Sequence, residues 1–206
     1  MTTNSGTDFI PYRSTLNGLH AVRFCSDTGT PMTHVLTLDL EWVHANTDGG
    51  RVLKELRKRV SRWWRDQRDR KGRDLGSFKA MLVIANPGYL HGHWMMHLPE
   101  EVAADFLAVV VSRLMKITGV SKERAADACH LKPVGAPGTL AKYVLKGVDP
   151  YYADHLHIEA QPEGFVEGRR VSISRAISKA ARKQAGWVRK RKTGGARGGR
   201  RAAPSN

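Results

Sequence analysis

The sequence predicts an α+β protein built on a ferredoxin-like, split βαβ antiparallel sheet, with helices packed on it and a basic C-terminal extension. Three observations lead to that fold class. Alternating runs rich in strand formers occur at 34–42, 78–85 and 89–98, with a shorter one at 128–134, and stretches of helical spacing separate them. Their order is strand, helix, strand, strand, helix, strand, the order of a split βαβ unit. Residues 168–206 then contain no acidic residue and are rich in Lys, Arg, Gly and Ala.

Residues 1–30 are rich in Thr, Ser, Asn and Gly without clean periodicity and are expected to form a polar lead-in. The run 34–42 is the expected central strand. After the turn signal Asp48-Gly49-Gly50, Val52, Leu56, Val60 and Trp63 or Trp64 recur at helical spacing. That predicts a helix whose outer face is dense in Arg and Lys. Segments 78–85 and 89–98, joined by Asn86-Pro87-Gly88, predict a hairpin. Pro99-Glu100-Glu101 opens the next helix, since proline fits a first turn and acids complement the dipole there. Val102, Phe106, Val109, Val110 and Leu114 form its apolar side and Gly119 ends it. Residues 128–134 predict a fourth strand, and 139–146 a helix closed by Gly147 and Pro150. The main domain is therefore expected at 31–167, followed at 168–206 by a basic helix around 171–188 and a disordered tail from Arg189 onward.

At 206 residues the chain suits one domain plus tails, and 41% hydrophobic residues suffice for a core. A formal charge of +15 and a pI near 10.3 point to a polyanionic partner, with nucleic acid foremost. Cys25 and Cys129 are the only cysteines, so neither a thiolate zinc site nor a disulfide framework is indicated. No apolar segment has the length of a membrane span, and a cytoplasmic location is expected. No Walker-type Gly-x-x-x-x-Gly-Lys-Ser/Thr segment occurs, so no helicase motor is expected within these residues.

The stretch His91-Gly92-His93-Trp94-Met95-Met96-His97-Leu98-Pro99 carries the first chemical signal. Side chains at i and i+2 of a strand point the same way, so His91 and His93 can reach one divalent ion. Such an ion polarises a phosphate oxygen and offsets charge in the transition state. With nine histidines in the chain a bare pair is weak evidence, and a second pair exists in His155-Leu156-His157. Context favours the first, which ends a hairpin strand leading into a helix. His97 lies too far along a straight strand to join its ion. A third ligand must come from elsewhere: Glu41, at the end of the first strand, is the candidate, with Asp39 second.

Tyr143 and Lys146 form the second signal, since a helix places i and i+3 on one face. A phenol is a weak nucleophile at neutral pH, and a nearby cation favours the phenolate. Tyr151 and Tyr152 are rivals in an Asp-Pro-Tyr-Tyr turn. A paired-imidazole metal site followed by Tyr-x-x-Lys is what a metal-assisted DNA nicking enzyme with a tyrosine nucleophile needs. For DNA binding, Arg57, Arg62 and Arg65 supply charge near one helix, Lys142 flanks the tyrosine, and Arg189, Lys190, Arg191 and Lys192 open the tail. Trp63 and Trp64 offer stacking surfaces, although at least one continues the apolar stripe and is expected in the core.

Taken together these residues resemble the HUH endonuclease superfamily, specifically single-tyrosine rolling-circle replication initiators of plasmids and phages. The matching segments are Val35-Leu-Thr-Leu-Asp39, His91-Gly-His-Trp-Met-Met-His-Leu-Pro99 and Ala141-Lys-Tyr-Val-Leu-Lys-Gly147, in the family's order. The resemblance implies a sheet-based nicking domain in which His91 and His93 bind Mg²⁺ or Mn²⁺. It implies that Tyr143 becomes linked to the 5′ phosphate of a single-stranded origin, and that the freed 3′ hydroxyl primes synthesis by host replication proteins. Two positions depart from the family pattern. Gly92 stands where the middle residue is usually bulky, and Ala85-Asn86 where the preceding strand often carries an acidic ligand. The competing expectations are a non-catalytic nucleic-acid-binding protein on the same sheet, and a transposase or relaxase of the same superfamily.

Overall fold

A computed structural model describes residues 7–42 and 49–188. The protein is α+β, with a five-stranded antiparallel sheet and helices on both faces. The strands are β1 (His34–Asp39), β2 (Ala80–Ala85), β3 (His91–Met96), β4 (Cys129–Pro133) and β5 (Val171–Ile173), and their spatial order is β4-β1-β3-β2-β5. All four predicted strands form. The fifth was not foreseen, and it makes the sheet more than a simple split βαβ unit.

Strand alternation sorts the side chains onto two faces. Leu36, Leu38, Leu82, Ile84 and Trp94 pack against α2 (Gly49–Asp69) and α3 (Ala103–Thr118), through Leu53, Leu56, Val60, Trp64, Phe106 and Val110. Trp64 is 2% exposed and donates its indole N–H to Gly76 O, and the half-buried Trp63 meets Phe106 edge-on. Both tryptophans are packing residues. Met81, Val83, Met95 and Val171 face the other way, toward α1 (Tyr12–Asp27) and α5 (Pro137–Val144). Gly119, at φ 74°, caps α3 in the left-handed conformation that glycine adopts without a Cβ penalty.

The expected lead-in at 1–30 is corrected: residues 12–27 form α1, and Ala21, Val22, Phe24 and Cys25 are buried. Its apolar residues, Leu16, Leu19, Val22 and Phe24, pack into the core from among polar neighbours, and the helix also approaches the sheet closely at a glycine. A Cβ on Gly18 would stand 2.9 Å from Met81 Sδ and 3.2 Å from Leu145 Cδ1. The boundary at 168 is corrected too. Within the expected basic helix, residues 171–173 pair with β2 as β5, and only Lys179–Gln184 form a regular helix, α7. Arg170 and Arg182 are buried, 2% and 5% exposed, so charge there builds structure rather than an extension. Between β3 and β5 lie two further helices, α4 (Lys122–Asp127) and α6 (Pro150–Leu156). The expected tail from Arg189 lies outside the described residues, as do residues 1–6 and 43–48. Among the described residues no helix is long and apolar enough to cross a membrane.

Candidate active site

The middle strand of the sheet, β3, presents His91 and His93 on the α1/α5 face, alternating with Gly92 and Trp94 on the other. Their rings stand 5.1 Å apart at 66°. Directly opposite on β1 are Asp39, across from His91, and Thr37, across from His93. The Thr37 hydroxyl lies 3.3 Å from His93 Nδ1, which leaves Nε2 as the nitrogen available to a ligand. Burial first, then the neighbouring His91 and Lys146, push the His93 pKa down to about 4. Burial also lowers that of His91, against the opposing pull of Glu163 and Asp39. Both imidazoles are therefore neutral at pH 7, the form that binds metals.

Gly92 faces α2. A Cβ there would meet Leu82 Cδ1 at 3.3 Å and Leu53 Cδ2 at 3.5 Å. The space that a bulky middle residue would occupy is filled from α2 by Leu53.

Tyr143 is 55% exposed, with its ring 6.3 Å from that of His93. Helix α5 stops at Val144, short of the expected end at 146, but Lys146 N–H donates to Tyr143 O at 3.2 Å. This last turn keeps both side chains on one side, and Lys146 Nζ lies 4.8 Å from the centre of the Tyr143 ring. Lys146 Nζ also stands 2.9 Å from Glu163 Oε1. Burial pulls the Lys146 pKa down, but the hydrogen bond and charge of Glu163, with Tyr143, outweigh it and raise the value.

Glu163 is the residue that sequence reasoning missed. It is 4% exposed, its Oε2 lies 3.8 Å from His91 Nε2, and both Glu163 Oε2 and His91 Nδ1 are buried without a hydrogen-bond partner. Its backbone is held firmly: Glu163 O accepts from Asn86 N and from Arg170 Nη2, at 2.8 and 3.0 Å. Gly164, at φ 64°, lets the chain pass so close to Asn86 that a Cβ would stand 1.8 Å from its carbonyl oxygen. Gly147 makes room for the side chain, since a Cβ there would meet Glu163 Cγ at 3.0 Å. The sequence signals this only indirectly, through Gly147 and Gly164 standing where the chain needs them small.

The other expected residues divide. Glu41 is exposed in the turn beyond β1, two positions past the strand residue that faces His91, and is not brought to the pair. Asp39 Oδ2 lies 3.4 Å from His130 Nε2. Among the described residues no three His, Cys, Asp or Glu side chains form a closed ligand group, and the pair is flanked by Asp39 and Glu163. Two neutral imidazoles beside a buried, unpartnered carboxylate oxygen nevertheless suit a divalent cation.

The second histidine pair is not a strand pair: His155 lies in the last turn of α6 and His157 caps it at φ 53°. His97 Nδ1 lies 2.8 Å from Pro31 O, committed elsewhere. Tyr152 packs on Tyr12, and Tyr151 is 78% exposed. Lys142 sits half-buried on α5 beside Tyr143. The α2 arginines do not join the site. Arg62 and Arg65 are exposed and Arg57 is half-buried, but α2 covers the opposite face of the sheet from the histidines. Arg189, Lys190, Arg191 and Lys192 lie outside the described residues.

No protein-family model matches the chain, and a search of curated proteins found no match.

Proposed function

We propose that this chain is a metal-dependent, site-specific single-stranded DNA endonuclease and strand transferase of the HUH type, initiating rolling-circle replication through a 5′-phosphotyrosine. One observation carries the reading: the paired His91 and His93, an exposed tyrosine and a lysine over its ring share one face of the sheet. The order β4-β1-β3-β2 supports reading the sheet as ferredoxin-like, with β5 added at its edge.

His91 and His93 would hold Mg²⁺ or Mn²⁺, which when bound supplies Lewis acidity toward a phosphate oxygen. Tyr143 Oη, as the phenolate, attacks the phosphorus, the bond to the 3′ oxygen breaks and that oxygen leaves as the 3′ hydroxyl on taking up a proton from solvent, and the segment downstream of the nick stays on the tyrosine through its 5′ phosphate. Lys146, placed over the ring by Glu163, favours the phenolate and faces the anionic phosphate. The exposure of Tyr143 suits an unpaired strand, and Lys142 beside it offers a phosphate contact. Host replication proteins would extend the freed 3′ hydroxyl.

The test is incubation of the protein with Mn²⁺ and a labelled single-stranded oligonucleotide from its own replicon's origin. Wild type is expected to yield a covalent adduct and Tyr143→Phe none. An adduct undiminished in Tyr143→Phe sinks the nucleophile, and tight binding without cleavage supports a non-catalytic DNA-binding protein instead.

A further inference from the structure

We infer that Glu163 is the third ligand of the ion held by His91 and His93, and that the same carboxylate ties that ion to the nucleophile through Lys146. The inference rests on the metal-binding reading of the histidine pair. Its starting point is a carboxylate that burial makes costly and that is only half used. Oε1 is engaged by Lys146 at 2.9 Å, whereas Oε2, at 3.8 Å from His91 Nε2, has no hydrogen-bond partner. A buried, unpartnered anionic oxygen is expensive to maintain, and a cation beside it removes the cost.

Two ligands each about 2.1 Å from a shared ion, at octahedral or tetrahedral angles, stand roughly 3.0–3.4 Å apart, so the 3.8 Å between Glu163 Oε2 and His91 Nε2 has to close by a few tenths of an ångström around an ion. The chain also spends several features on holding this one side chain in place. Arg170, 2% exposed, donates to Glu163 O, and Asn86 N donates to the same oxygen. Gly147 and Gly164 provide space for which any side chain would compete. The rival acids are placed differently: Asp39 Oδ2 is directed to His130, and Glu41 is exposed beyond the strand. The acid absent from Ala85-Asn86 is thus supplied from a loop that follows the tyrosine in sequence.

Sharing one carboxylate has a consequence of definite sign. The Lys146 ammonium draws on the same negative charge as the ion and repels it, so the two compete. Removing the ammonium must strengthen ion binding, while removing the carboxylate's charge must weaken it and also free Lys146 from its place over Tyr143.

The experiment is titration of Mn²⁺ into the full chain without DNA, read by the electron paramagnetic resonance of free Mn²⁺. Glu163→Gln is expected to weaken binding on the order of 10–100-fold, the range seen when groups supporting a metal site are removed. Lys146→Met, which leaves Glu163 in place, is expected to tighten it by a few-fold. Wild-type affinity in Glu163→Gln overturns the ligand assignment, as does a loss confined to Glu41→Gln. Unchanged or weaker binding in Lys146→Met overturns the coupling, and if Glu163→Gln does not fold, Glu163→Asp takes its place, wild-type affinity there again overturning the ligand assignment. Because no DNA is present, failure of nicking with the Mn²⁺ pattern intact removes the proposed reaction and leaves the ligand. Nicking without that pattern removes the ligand alone.

Discussion

His93 shows how a site residue is tuned by its position. Set in the middle strand against Thr37 and His91, it has its pKa pushed from 6.5 to about 4, chiefly by burial. Between those two values the unfolded chain holds a proton at this position and the folded protein does not. Stability of the metal-free protein is therefore full above pH 6.5 and is lost as pH falls toward 4, by on the order of 1–3 kcal/mol. Urea unfolding in EDTA at pH 7, 5.5 and 4.5 should show that decline in wild type and a shallower one in His93→Gln. Parallel declines would show that other groups set the acid limit. The His pair and Tyr143 were legible because strand period and helical turn are local rules that sequence spacing obeys. Glu163 was not, since it meets His91 and Lys146 through a loop whose course depends on Arg170 and Asn86, residues distant from it or silent in any periodic pattern.

At the scale of elements, what the alternating and amphipathic runs predicted formed, with boundaries shifted by a few residues. What they could not report was α1, whose apolar residues Leu16, Leu19, Val22 and Phe24 are interspersed with polar ones, and a strand of three residues, β5, whose partner β2 is far away in sequence. Both are set by tertiary contacts. The packing of α2 on the sheet gives the corresponding test. Leu53, 1% exposed, occupies the space above Gly92, so helix and strand are matched as a large-small pair. Gly92→Val should cost about 1–3 kcal/mol by overpacking, and Leu53→Ala about 2–5 kcal/mol by leaving a cavity. The double variant should cost less than the sum, because valine enters the space that leucine vacated. Additive costs in urea unfolding would mean that Gly92 and Leu53 do not share that space.

Across the whole molecule, chemistry and charge are distributed unevenly. The histidines, Tyr143 and Lys146 occupy one face of the sheet, while the arginine-rich α2 lies on the other, where Glu55 already pairs with Arg59 at 2.8 Å. Among the described residues, Lys142 on α5 and Lys146 over the ring are the cations that this segment brings to Tyr143. Seven of the chain's 34 Lys and Arg residues fall at 189–206, with no acid among them. Charge of that density, uncompensated by acids, suits non-specific phosphate contact, whose strength depends on counterion release. For single strands the slope of log affinity against log salt is about −0.7 per phosphate neutralised. A chain ending at Val188 should therefore bind single-stranded DNA with a shallower slope, by about 3 if Arg189, Lys190, Arg191 and Lys192 each neutralise one phosphate. Its Mn²⁺ affinity should be unchanged, and at low salt its covalent adduct with Tyr143 should persist. Fluorescence anisotropy across a salt series measures the slope. A slope equal to that of the full chain would assign the polyanion contact to the folded residues and leave the basic terminus without a part in DNA binding.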